Sequence, residues 1–408
     1  MAQGVFVFLH RWAGLAMAAF LLVVGLTGSL LAFNTELERV FAPRLFAPEP
    51  AKHRLDLATL AEKAERLAGP KAQLFNVANT EPDQVVAYVE PAQDPVAKRP
   101  YALDFNELYL DPATGDELGR RKRGDLSQGL VNLMPFLYDL HWRLALGDPG
   151  QWILGIIALV WTLDCFIAFY LTLPPARAAF WRKWKTAWMI KRGAGVYRLN
   201  FDLHRAGGLW LWFTLFIFAW SSVMMDWRAA YEPLMKALFD YRSVSESFET
   251  LTKRGAANGV AMDWRAAQSV GERLMAEQAT SHNFAIGAPL SLLRYADANV
   301  YIYEVRGSRD LFERSTKGGG TSIIFDAATG DLLDLSQPTG ERPGNTVESW
   351  LYALHMARVF GLPYRVFVCV LGLAIAMLSG TGVYIWWKKS RARRFHARGG
   401  GARKAALG

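Results

Sequence analysis

Four stretches of the chain stay apolar long enough to cross a hydrocarbon layer: Val5–Phe33, Pro149–Leu173, Leu203–Met225 and Pro363–Trp387. A helical crossing takes about 20 mostly apolar residues for a layer of ~30 Å. The first stretch is too long for a signal-peptide core and no small-residue cleavage site follows it, so it reads as a retained span. Between the spans the period changes. Helical periodicity over Leu57–Leu67 and Trp264–Ala276 precedes alternating, strand-type runs such as Gln84–Glu90, Asn299–Arg306 and Thr321–Asp326. An Ala-Thr-Gly-Asp turn falls in each external segment, with Gly for a positive φ and Asp and Thr to bond local backbone, so each joins two strands. Gly318-Gly319-Gly320 reads as a hairpin tip, because a phosphate loop would need a strand before it and a helix after it.

The chain also repeats itself. Leu9-His10-Arg11-Trp12-Ala13-Gly14-Leu15 recurs as Leu203-His204-Arg205-Ala206-Gly207-Gly208-Leu209, and Leu137-Tyr138-Asp139-Leu140-His141 as Leu351-Tyr352-Ala353-Leu354-His355. Asp111-Pro112-Ala113-Thr114-Gly115-Asp116 recurs as Asp326-Ala327-Ala328-Thr329-Gly330-Asp331. The offsets are 194, 214 and 215 residues, in the same chain order. Each half is then a helix, an external domain and a second helix, and the halves are parallel repeats about a pseudo-twofold along the membrane normal.

Charge orients this arrangement. The chain carries 46 Lys and Arg against 37 Asp and Glu, a net charge of +9. Arg177, Arg182, Lys183, Lys185, Lys191, Arg192 and Arg198 crowd the loop after the second span, and the tail after the fourth holds eight more basic residues from Lys388 to Lys404 with no acid. The positive-inside rule places both in the cytoplasm, with both termini inside and the long segments outside. No basic domain interleaved with aromatics supports a nucleic-acid partner. Cys165 and Cys369 both lie in apolar runs, which excludes a disulfide scaffold and a zinc-cysteine site.

Of seven histidines, His10, His204, His141 and His355 occupy repeat-equivalent positions at the membrane; His53, His282 and His396 have no repeat partners and read as surface residues. The twofold turns His10 into His204 near the cytoplasmic face and His141 into His355 near the external face. A glycine and a proline follow each of the latter pair by six and eight residues, so each sits on a short helix before its span. Two opposed imidazoles on facing helices, one pair per face, are what haem iron requires as axial ligands. Arg11, Arg205, Arg143 and Arg358 flank them as candidates for haem propionates, or as topology anchors. Small residues nearby, Gly14, Gly25, Gly28, Gly208, Ser221, Ser222, Gly372, Gly380 and Gly382, allow close approach of backbones or of a flat macrocycle. Asp164, inside the second span, is a functional candidate for proton uptake or a quinone, or else a structural hydrogen-bond partner.

At these residues the chain resembles a PepSY-associated transmembrane protein. The resemblance covers nearly its whole length and rests on Leu-His-Arg-x-x-Gly-Leu followed by Gly25-Leu26-Thr27-Gly28-Ser29-Leu30, the Asp-x-Ala-Thr-Gly-Asp turns, the Leu-Tyr-x-Leu-His segments, and Ser379-Gly380-Thr381-Gly382 with Trp386-Trp387. It implies an iron-regulated di-haem b protein of the bacterial inner membrane, with two haem b per chain, passing cytoplasmic electrons to ferric siderophores in the periplasm. The expected fold is a four-transmembrane-helix bundle of two parallel repeats with two periplasmic α+β PepSY-like domains. Its parts are a first helix over 1–34, an external domain over 35–127, a face helix and second span over 128–173, a basic loop over 174–202, a third span over 203–226, an external domain over 227–345, a face helix and fourth span over 346–388, and a basic tail over 389–408. The chain departs from the pattern at Asp164-Cys165-Phe166 and at Ser221-Ser222, and it lacks the flavin or nicotinamide domain that some relatives carry. The electron donor is then a separate flavodoxin- or ferredoxin-type protein docking on the basic loop, or a quinol. The competing readings are a membrane-anchored binding protein without redox chemistry and a quinol-linked cytochrome b serving another acceptor.

Overall fold

The computed structural model describes residues 2–175, 178–243, 246, 249, 259–311 and 319–405. Arg177, Gly318 and the side chains of His396, Arg398, Arg403 and Lys404 lie outside what is described. The helices are α1 (Ala2–Leu31), α2 (Asn34–Phe41), α3 (Leu57–Ala68), α4 (Leu133–Arg143), α5 (Asp148–Thr172), α6 (Phe180–Lys185), α7 (Val196–Asp226), α8 (Arg228–Leu238), α9 (Trp264–His282), α10 (Pro343–His355) and α11 (Gly361–Ala405). The chain divides into two compact units, one made of Met1–Ala32, Tyr138–Tyr231 and Arg365–Gly408, the other of Phe33–Leu137 and Glu232–Tyr364.

The first unit holds α1, α5, α7 and α11, the four helices long and apolar enough to span a membrane. Large apolar side chains such as Leu22, Ile156, Phe213 and Val370 are exposed on their outer faces, as a lipid-facing surface requires. Four contacts close the helices into a ring. His10 meets Asp164 between α1 and α5, and Trp212 Nε1 donates to Cys165 O at 2.8 Å between α5 and α7. Gly207 faces Met377 between α7 and α11, and Ser29 Oγ donates to Cys369 O at 2.8 Å between α11 and α1. α7 starts at Val196, before the apolar run, because Asp202 is held inside the helix by Arg198 and Arg205, each at 2.8 Å.

The α1–α11 crossing is the closest of these. A Cβ on Gly25 would come within 2.7 Å of Gly372 O, and one on Gly372 would strike Gly25 O and Ser29 Oγ. Gly25 and Ser29 on one helix and Gly372 and Ala376 on the other are spaced four apart, so both helices present small residues to each other. Gly372→Val is therefore expected to lower thermal stability in detergent by about 1–3 kcal/mol or more, the range for overpacking. An unchanged melting temperature would show that the crossing yields freely.

In the second unit the strands are β1 (Ala72–Glu81), β2 (Gln84–Pro91), β3 (Glu107–Leu110), β4 (Glu117–Arg121), β5 (Ile286–Tyr295), β6 (Val300–Gly307), β7 (Thr321–Asp326) and β8 (Leu332–Ser336). The two segments between the spans, expected as separate external modules, share one sheet of order β4-β3-β2-β1-β5-β6-β7-β8. β1 and β5 join them antiparallel at Asn76↔Leu293, Val77↔Leu292 and Ala78↔Ser291. Each half thus supplies a four-stranded meander, and neither β1 nor β5 is left as an unpaired edge. α3 and α9 pack on the sheet through Leu60, Ala61, Ala64, Ala267, Leu274 and Met275 over Val77, Leu108, Leu292 and Phe325. The repeated turns take matching conformations. Asp111 and Asp326 each accept two backbone N–H groups, and Gly115 and Gly330 sit at φ +70° and +76°.

Candidate functional site

The histidines are positioned by the helices that carry them and by hydrogen bonds that fix their rings. His10 and His204 lie two to three turns into α1 and α7, which are opposite members of the ring of four. Their ring centroids are 6.0 Å apart. His10 Nδ1 donates to both carboxylate oxygens of Asp164, at 3.0 and 2.9 Å. His204 Nδ1 lies 3.0 Å from Leu378 O and 3.2 Å from Thr381 Oγ1. A carbonyl only accepts, so that nitrogen carries the proton. In both rings Nδ1 is committed, and among the described residues neither Nε2 has a hydrogen-bond partner.

His141, on α4, repeats the arrangement at the other end of α1. Its Nδ1 lies 2.9 Å from Thr27 Oγ1, whose own proton goes to Val23 O at 2.8 Å, so the hydroxyl accepts from the ring. Burial pushes the His141 imidazole down to about 4, against a hydrogen bond to the Val24 backbone carbonyl that raises it, so the ring is neutral at pH 7. Neutral imidazole is the form that ligates a metal. From His10 to Thr27 is 17 residues of α1, about 26 Å at 1.5 Å per residue. The two levels are therefore distinct sites.

Six of the seven glycines singled out by sequence fall into three pairs. Gly28 and Gly382 are ring cradles: a Cβ there would come within 3.0 Å of His141 Cε1 and 3.2 Å of His204 Cε1. Each follows the threonine that takes a histidine proton, so a Thr-Gly pair serves one ring on α1 and another on α11. Gly25 and Gly372 make the helix crossing. Gly14 and Gly208 sit one turn beyond His10 and His204; nothing described lies within 4 Å of a Cβ on Gly14, and only Leu378 Cδ2, at 3.9 Å, near one on Gly208. Ser221 and Ser222 bond back to Phe218 O at 3.0 and 2.9 Å.

His355 ends α10 in the second unit. The repeat persists there in the backbone: Gly147 and Gly361, six residues after His141 and His355, both take left-handed φ, +67° and +61°. The arginines divide. Arg143 pairs with Asp139 and lies over the Trp142 ring, and Arg205 pairs with Asp202 and donates to Thr186 O at 2.8 Å, so both have partners within the protein. Arg11 lies over Phe8 and Trp12 with its Nε buried and unpartnered among the described residues, which fits it to an anionic group. Arg358 follows α10, its backbone N–H on Ala353 O at 3.1 Å. In the basic loop, Arg182, Lys183 and Lys185 lie exposed on α6. From the sequence, Asp164 is a functional candidate or a structural partner of no named residue, Gly28 and Gly382 are small residues only, and Thr27 and Thr381 carry no role of their own. The recurrence of Thr-Gly on the first and last spans was the available signal.

These residues fit a bis-imidazole haem at the His10/His204 level. Both tautomers leave Nε2 for the metal, open space lies beside Gly14, and Arg11 offers a positive group. No described cluster of three or more His, Cys, Asp or Glu side chains is arranged for a bare metal ion. The profile of one family, the PepSY-associated TM region, matches residues 7–389. A comparison with curated proteins finds no match.

Proposed function

Since the chain belongs to the PepSY-associated TM family, a multi-pass membrane protein with four candidate spans, we propose that it is a di-haem b protein that carries electrons across the bacterial inner membrane and reduces ferric siderophores in the periplasm. The observation that carries this reading is the facing pair His10 and His204, 6.0 Å apart, each with Nδ1 engaged by an acceptor. His10 and His204 would hold the inner haem, and His141 would serve the outer one. Haem bound at such sites supplies reversible one-electron exchange without moving heavy atoms. The protein's own part is to fix each imidazole's tautomer and orientation, to exclude water from the bundle, and to compensate propionate charge with Arg11. The net change is one electron lost by the cytoplasmic donor and one gained by the chelated Fe(III). Fe(II) is held less well by hard oxygen ligands, and the iron leaves.

Absorption spectra of the purified protein, oxidised and dithionite-reduced, with haem quantified per chain, test this directly. Two haem b per chain, reoxidised on adding a ferric siderophore, is the expected result. A colourless protein from cells supplied with haem would overturn it in favour of an anchored binding protein. Reduction by quinol analogues, but not by a flavodoxin or ferredoxin, would move the donor into the membrane.

The donor reading makes its own prediction. Arg182, Lys183 and Lys185 form an exposed basic face suited to an acidic electron carrier. Steering of an oppositely charged partner raises association rates by ~10–10³. Screening shortens from ~30 Å at 0.01 M salt to ~8 Å at physiological salt. Haem reduction by such a carrier should therefore slow steeply over that range, and neutralising these three residues should slow it at low salt without altering the spectrum. A rate indifferent to both leaves the loop as a topology signal alone.

A further inference from the structure

Among the described Nδ1 acceptors of His10, His141 and His204, one is charged. His141 donates to the Thr27 hydroxyl and His204 to the Leu378 carbonyl and Thr381 hydroxyl. His10 donates to a carboxylate, Asp164, whose side chain is only 7% exposed. The two oxygens lie nearly equidistant from Nδ1, at 3.0 and 2.9 Å, which puts the ring N–H between them. The internal repeat makes the difference legible. At the offset of 214 residues that relates the two external-face histidine segments, Asp164 corresponds to Leu378, whose backbone carbonyl serves His204. One copy thus uses a neutral backbone acceptor where the other has brought in an anion.

A charged acceptor changes what an imidazole does as a ligand. Hydrogen bonds to an ionised group are roughly twice as strong as neutral ones. A carboxylate on the far nitrogen fixes the tautomer, holds the ring and raises the basicity of the ligating nitrogen. The negative charge also favours the more positive, oxidised state of any metal that ring binds. We propose that Asp164 is a positioning residue that acts through His10, orienting it and lowering the reduction potential of the centre held by His10 and His204 relative to the centre at His141. That ordering makes passage of an electron from the His10 level to the His141 level downhill. The inference rests on the haem reading above and adds a direction to it.

The test is a potentiometric titration of purified wild type, Asp164→Asn, Asp164→Glu and Thr381→Val, followed by haem absorption, with haem per chain measured first. Wild type is expected to show two transitions. In Asp164→Asn the lower one should rise by at least tenfold in its equilibrium constant, 59 mV for one electron, while the other stays put. Asp164→Glu should restore the lower potential, and Thr381→Val, which removes only a neutral acceptor, should shift it less than Asp164→Asn does. If Asp164→Asn loses the haem of that level while Asp164→Glu keeps it, the carboxylate's hold on His10 is supported. If both lose it, Asp164 acts by packing and the proposal falls. It falls equally if Asp164→Asn keeps both haems at unchanged potentials. A wild type without haem would defeat the proposed function itself, and that outcome is read before any substitution is made.

Discussion

His10→Ala and His204→Ala are each expected to remove or convert the same haem and to leave the other spectrally intact. His141→Ala should do the converse. His10 and His204 are 6.0 Å apart on opposite helices of the ring. His141 is fixed about 26 Å further along α1, by Thr27 and by the cradle at Gly28. Losing an axial ligand should cost more than the 10–100-fold that loss of an outer partner costs. Haem per chain and the low-temperature reduced spectrum of each variant check this. If His10→Ala and His141→Ala perturbed one and the same centre, the pairing across the bundle would be wrong.

Glu107→Ala should be the most damaging substitution in the second unit. Glu107 and Arg121 lie opposite each other in the β3–β4 register, with side chains 2% and 3% exposed. Glu107 accepts from Arg121 Nε at 2.8 Å, Tyr109 OH at 2.7 Å and Arg123 at 2.9 Å. Arg121 also reaches Glu38 at 2.7 Å and Val131 O at 2.9 Å, so the cluster ties α2 to the sheet. Burial and the neighbouring Glu107 push the Tyr109 phenol well above its usual range, so it stays a donor at any working pH. Two acids and two bases balance. Removing Glu107 leaves Arg121 buried with only Glu38, a loss of about 3–5 kcal/mol by analogy with other broken buried pairs. Replacing both Glu107 and Arg121 by apolar residues should be milder than the single change, because no buried charge is then left without its partner. Thermal unfolding of the singles and the double decides it. Additive losses would mean that the pair is not coupled.

Much of the candidate site was visible in the chain. The histidine positions follow from the repeat, and the short helices that carry His141 and His355 follow from the spacing of Gly and Pro; the left-handed φ of Gly147 and Gly361 appears only in the fold. What was not visible is how each ring is held. The partners of His10, His141 and His204 stand 154, 114 and up to 177 residues away. A histidine in a span can take its acceptor from a carboxylate, a hydroxyl or a backbone carbonyl, and all three occur here. Position beside the histidines offers four arginines for anionic groups, whereas Arg143 and Arg205 meet acids one helical turn away on their own helices.

Legible in the chain alone were the four spans, the helices over Leu57–Leu67 and Trp264–Ala276, the strands over Gln84–Glu90, Asn299–Arg306 and Thr321–Asp326, and the Ala-Thr-Gly-Asp turns. These depend on residues that are neighbours in the chain: apolar length, period, and turn chemistry that only Gly, Asp and Thr supply. It took the folded chain to show that β1 and β5 join the two inter-span segments in one sheet, that α1 crosses α11 at Gly25 and Gly372, and that Asp164 rather than a threonine or a carbonyl holds His10. Each of those pairs segments far apart in sequence. Unpaired strand edges, small-residue faces and imidazole protons accept several partners equally well on local grounds, so the choice falls to whichever surface the folded chain brings within reach.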